Sequence, residues 1–268
     1  MKKINKSLPP NPLTLFAANQ PAVNWDDFRN HSVSGQAAGT DYKATKQLIF
    51  DDQGELCAYC EEKTAHTQPD KQRLEHFHSK SDKTNPQKNW ALDWDNIFGV
   101  CLGGSDVDQS AHPLPANLSC DSHKDRCLTG AQKNNCEGLY INPLHLHAFP
   151  CLFDFNKRTG ELTAHAVNCQ QVVFSPNQHA STEALVTKTI EILNLNCKRL
   201  TDNRRKVFAE LQRLNTSARL AGKKGKVFMQ ELTQEWLKSA PYQNFFTTRR
   251  ILLGQHAETH LRTIGYNG

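Results

Sequence analysis

The sequence predicts an α+β protein in which a small, cysteine-stapled, turn-rich region is followed by a mainly helical C-terminal part. Three observations carry this. Residues 53 to 140 are crowded with Gly, Asn, Asp and Pro and show no long helical pattern, as expected of a small fold organised by metal. Cysteines at 57, 60, 101 and 120 lie at the edges of polar turns in that region. After Pro176, apolar residues recur at intervals of three and four, the period of amphipathic helices.

The 268 residues suffice for one large domain or two small ones, and 38% hydrophobic with 22% charged content describes an ordinary globular chain. The opening Met-Lys-Lys-Ile-Asn-Lys is followed by prolines and only a short apolar run, so no secretory signal is expected. No stretch approaches the ~18 apolar residues of a membrane span, so membrane function is excluded and a cytoplasmic protein is expected. Nine cysteines, an odd number, argue against a closed disulfide framework and for thiolates on a metal. The net charge of +5 is unevenly spread, because residues 198 to 226 carry ten Lys or Arg against Asp202 and Glu210. Such a segment fits a polyanion; it equally fits a solvated helix face.

In chain order, residues 1 to 39 read as a loosely structured N-terminal arm anchored by Trp25 and Phe28. Residues 40 to 52 read as a helix capped by Thr40 or Asp41 and ended by Gly54. Residues 40 to 140 form the metal-bound domain, with a loop from Leu102 to Asn117. The mostly helical domain spans 141 to 268. Within it, Phe153-Asp154-Phe155 and Arg158 to Leu162 suggest a short hairpin. Val186, Ile190, Leu193, Cys197 and Leu200, spaced by four, three, four and three, mark a helical pattern. A turn at Asn194 to Asn196 leads to a second, marked by Val207, Leu211, Leu214 and Ala218. The tail, with Trp236, Phe245 and Phe246, reads as helical.

Cys57-Ala-Tyr-Cys60 places two thiolates on one knuckle, and Cys101 with Cys120 would complete a tetrahedral structural Zn²⁺ site. The interval between Cys101 and Cys120 is long for a knuckle, so Cys127, Cys136, His112 or His123 could replace one ligand. Cys151, Cys169 and Cys197 read as core residues. Between the staples stands Glu75-His76, where a carboxylate can hold a divalent cation while an imidazole takes a proton from water. Phosphodiester hydrolysis needs both. His78 competes with His76 for the proton. Asn96, after Trp94, would tie a loop and orient the base, or simply cap a turn. In Cys120-Asp121-Ser122-His123-Lys124, a helix starting at Cys120 puts Asp121 and Lys124 on one face. Asp121 would be the second ligand of the catalytic metal, and Lys124 could touch a phosphate. His123 would be rotated roughly 200° away, yet it stays among the catalytic candidates. The plain alternative for the tetrapeptide is a solvated helix start.

The series Cys57-Ala-Tyr-Cys60-Glu61, Leu74-Glu75-His76-Phe77-His78-Ser79-Lys80-Ser81, Trp94-Asp95-Asn96, Cys101 and Cys120-Asp121-x-x-Lys124 resembles HNH endonucleases of the ββα-metal (His-Me finger) kind. More narrowly it looks like the PtuB-like nuclease subunits of the Septu anti-phage system and of some retrons. Ile141-Asn142-Pro143-Leu144, Phe153-Asp154-Phe155 with Gly160, and Thr189 to Asn196 with Arg204-Arg205 look like that narrower family too. The resemblance covers about residues 40 to 215. It implies Mg²⁺ or Mn²⁺ on Glu75 and Asp121, His76 as general base, Asn96 as structural asparagine, and an ABC- or SMC-like ATPase partner. It departs at Asp121, where Asn or His is commoner. DNA contacts are expected from Lys80, Lys124, Arg204 and Arg205. A non-catalytic zinc module and a standalone restriction-type enzyme are the alternatives.

Overall fold

The computed structural model describes residues 1–33, 36–64 and 66–268. Two helices occupy the N-terminal arm, α1 (Pro12–Asn19) and α2 (Trp25–Asn30). Each is opened by an asparagine, Asn11 or Asn24, in a reciprocal capping box with the residue three positions on. The arm is thus more regular than the Pro- and Asn-rich composition suggests, because those residues are caps and first-turn positions. Trp25 and Phe28 are its buried anchors, as the sequence indicates.

Helix α3 (Thr40–Asp52) has the expected bounds, but its N-cap is Gly39 in the left-handed region and no side chain caps it. Its C-terminus closes through Gly54 (φ 66°), with Gly54 N–H on Asp51 O and Glu55 N–H on Phe50 O. That pairing needs a left-handed residue at Gly54. A Cβ there would also meet the Tyr242 ring.

Strands β1 (Arg73–His76) and β2 (Ile97–Val100) pair antiparallel, with Glu75 opposite Phe98 and His76 opposite Ile97. Every residue of β2 is buried, and alternation sends its side chains into two cores. Ile97 joins Leu13, Phe16, Trp25, Phe28, Ile49 and Trp94. Phe98 and Val100 join the larger core that continues through the C-terminal helices. Hence Glu75 and His76, adjacent on β1, face opposite ways. Helices α4 (Cys120–Cys127) and α5 (Gly130–Lys133) follow the 102–117 loop.

Beyond them, β3 (Phe153–Phe155) pairs with β4 (Leu162–Ala164), the expected hairpin. Six helices complete the chain: α6 (Ala166–Cys169), α7 (Thr182–Ile192), α8 (Lys198–Leu220), α9 (Gly225–Trp236), α10 (Phe246–Leu253) and α11 (Gln255–Thr263). Mixed helix with two small sheets makes the fold α+β. No helix among the described residues is long and apolar enough to cross a membrane.

Candidate metal centre and catalytic cluster

The first knuckle is a tight turn. Cys57 N–H bonds Glu62 O, Glu61 N–H bonds Cys57 O, and Glu61 takes a positive φ of 63° to turn the chain back. Buried Gln53 fixes that turn to β2, donating to Leu56 O and Gly99 O and accepting from Gly99 N–H. The second half forms where β2 ends at Cys101 and α4 begins at Cys120. Gly103 (φ 64°) lets the loop pass Ser119, whose carbonyl oxygen a Cβ would strike at 2.6 Å.

These segments bring four buried sulfurs together. Cys57–Cys120 and Cys60–Cys101 are 3.7 Å apart and Cys101–Cys120 3.8 Å. A tetrahedron with zinc–sulfur bonds of about 2.3 Å has edges of about 3.8 Å, whereas a disulfide bond is about 2.05 Å. The set therefore fits one tetrahedral metal and no disulfide. The alternative ligands lie outside this group of four: Cys127 is exposed, the imidazole Nδ1 of His123 engages Ile192 O at 2.9 Å, Cys136 lies by His78 and His112 by Asp202. Arg199 lies against the cluster, paired with Glu62 and donating to Ser119 Oγ at 2.7 Å. Although burial opposes its charge, Glu62 and the thiols of Cys60 and Cys101 hold its guanidinium protonated. One consequence of the basic segment was missed from sequence: this arginine faces thiolates, not solvent.

Asp121, in the first turn of α4, turns the other way from Cys120. It and Glu75 converge on the buried ammonium of Lys124, which pairs with Glu75 Oε1, lies 3.8 Å from Asp121 Oδ1 and donates to His76 O at 3.2 Å. Asp121 Oδ1 is buried without a hydrogen-bond partner, and Glu75 Oε1 is buried with the Lys124 ammonium against it. Burial pushes Asp121 up to about 7, helped by Asp125 and opposed by Arg73 and Lys133. Burial likewise lowers Lys124 to about 8. Two buried carboxylates converging on one place are oxygen donors of the type that suits a hard cation.

The His76 imidazole lies on the arm side of the hairpin, its Nε2 on Ala91 O at 3.1 Å and its ring edge-on to Trp25 at 4.6 Å between centroids. Burial pushes it down to about 4, the Ala91 bond only partly opposing and Lys80 adding to the effect. Its Nδ1 has no partner among the described residues and keeps solvent access. Asn96 holds the loop between, accepting from His78 N–H at 2.7 Å and donating to His78 O and Trp90 O. His78 lies between two carboxylates, with Nε2 on Asp82 at 2.8 Å and Nδ1 on Glu137 at 2.7 Å.

Three expected side chains are elsewhere. His123 points at α7, one face away from Asp121, as the helical angle dictates. Lys124 is buried against carboxylates rather than offered to a phosphate. Arg204 is buried too, donating to Leu195 O at 2.7 Å and so satisfying the carbonyl left free after α7. Its position was readable, because Leu200, Arg204, Val207, Leu211 and Leu214 continue the apolar stripe by fours and threes. Lys80 and Arg205 are exposed.

No family model matches the chain. Over 255 residues, 94% of each chain, it is 38% identical to the candidate HNH endonuclease of retron Ec83 from Escherichia coli.

Proposed function

This chain belongs to the HNH endonucleases related to those of retrons, and we propose that it is a divalent-metal-dependent DNA endonuclease whose chemistry is carried by Glu75, His76 and Asp121. The reading rests on the two buried carboxylates of Glu75 and Asp121, converging on one ammonium with Asp121 Oδ1 lacking a hydrogen bond, and on the adjacent His76, whose Nδ1 has no partner among the described residues. The order β1–β2–α4 with the four-thiolate cluster behind it supports a zinc-stapled ββα-metal finger.

Glu75 and Asp121 would hold Mg²⁺ or Mn²⁺, which supplies positive charge to phosphate oxygens as negative charge builds on them. His76 donates Nε2–H to Ala91 O, so the lone pair is on Nδ1. With its pKa held low the ring is neutral at physiological pH, and Nδ1 accepts the proton of a water aligned behind the phosphorus. The products are a 3′-hydroxyl and a 5′-phosphate. Asn96 positions the base at one remove, through the Trp90 carbonyl next to Ala91. Exposed Lys80, Arg205, Arg213 and Arg219 supply phosphate contacts. The retron relationship and the narrower resemblance support an anti-phage effector acting with an ABC- or SMC-like ATPase.

The test is plasmid nicking in Mg²⁺ or Mn²⁺. His76→Ala should lower the rate by about 10² to 10⁴ while zinc content and the melting curve stay at the parent values. Cleavage at the parent rate would overturn the assignment.

A further inference from the structure

Outside the sites described, one group of metal-capable side chains remains among the described residues: His78, Cys136 and Glu137, with one donor atom from each lying within 4.8 Å of the others. The geometry points to a second zinc-class site here, with three protein ligands. It stands independently of the catalytic reading.

The ring of His78 is fixed in every direction that matters for ligation. Trp90 stacks on it at 3.7 Å between centroids and 14° between planes. Asp82 takes Nε2–H at 2.8 Å and is itself held by Thr84 N–H and Oγ1. A carboxylate on one imidazole nitrogen fixes the tautomer and leaves the other as a lone pair, the usual support of a metal-bound histidine. That other nitrogen, Nδ1, is 3.8 Å from Cys136 Sγ and 2.7 Å from Glu137 Oε1. The Cys136 segment is pinned to the same loop by Ser79 N–H on Lys133 O and Tyr140 Oη on Phe77 O. Sulfur, imidazole and carboxylate together select a borderline ion such as Zn²⁺ over Mg²⁺ or Ca²⁺.

Cys136 enters as a buried thiol and loses its proton to solvent on binding. The fourth position is left for water from a cavity of about 530 Å³ lined by Trp90, Asn96, Glu137 and Asn142. An ion there ties the 77–90 loop to the segment after α5. Trp90 stacks on a ligand and precedes Ala91, whose carbonyl holds His76, so the site acts on the base as a positioning device. The competing arrangement is an imidazolium bridging Asp82 and Glu137 with the thiol a bystander.

Metal analysis separates the two. Chain purified without chelator and dialysed against micromolar Zn²⁺ should carry two zinc ions, and Cys136→Ser should carry one, with the four-thiolate ion retained. One zinc in both, or two in both, overturns the site. Should Cys136→Ser fail to fold, Glu137→Gln, on the rim of the cavity, serves instead. It should raise the dissociation constant of one zinc at least about tenfold against a chromophoric chelator, and release identical to the parent chain overturns the site.

Discussion

Cys120 and Asp121 are consecutive residues serving different centres: the thiol of the first completes a set of four sulfurs, while the carboxylate of the second faces Glu75 across Lys124. The sulfur cluster is closed. Its spacing matches a tetrahedron, it is buried, and Arg199 balances it from outside. The carboxylate pair is less complete, with Asp121 Oδ1 lacking a hydrogen bond and one ammonium, Lys124, set between the two carboxylates. The four sulfurs fit a metal that holds a fold, whereas under the proposed function the carboxylates take the cation that does chemistry, and the two centres lie one peptide bond apart.

That contrast can be broken in order of expected effect. Cys120→Ser should cost on the order of 10 kcal/mol of folding free energy, the size of structural zinc binding. The cooperative melt followed by circular dichroism should vanish together with bound zinc. Survival of a sharp transition without zinc would show that the cluster is not a staple. Arg199→Met should cost about 2 kcal/mol, because half-buried Glu62 and buried Ser119 Oγ lose a charged hydrogen-bond donor; it should also speed zinc loss to a chelator, and a parent-like denaturation midpoint would remove Arg199 from the cluster's support. Asp121→Asn should change stability by less than about 1 kcal/mol, since the buried carboxyl makes no hydrogen bond through Oδ1. The same change should cut metal-dependent nicking about 10²-fold or more, and a variant that nicks normally would place the cation elsewhere.

Much of the fold was legible where local chemistry dictates it. Helix α3 has the bounds that Thr40 to Asp52 suggest, the β3–β4 hairpin follows its Asn156-to-Gly160 turn, and the four cysteines meet as their turn-edge positions imply. Capping boxes at Asn11 and Asn24 were present in sequence but hidden by the surrounding prolines. What resisted reading was the sign of burial for charged residues. Arg199, Arg204 and Lys124 look like surface cations in any window of sequence. Each is buried because a partner distant in the chain awaits it: Glu62, the carbonyl of Leu195, and Glu75. For Arg204 the apolar stripe was a usable clue; for Lys124 nothing local was. The companion of His78 in Glu137 was beyond sequence as well, since 59 positions separate them.

Trp25 reaches across from the arm and sets its edge against the ring of His76. The N-terminal arm therefore touches the base of the proposed reaction directly. Anything that lifts α2, whether a protease, a fusion placed before it or a companion protein, disturbs the imidazole without touching the finger itself. Under the proposed function, control can reach the base without passing through the metal sites, because Trp25 of the arm is already in contact with the His76 ring.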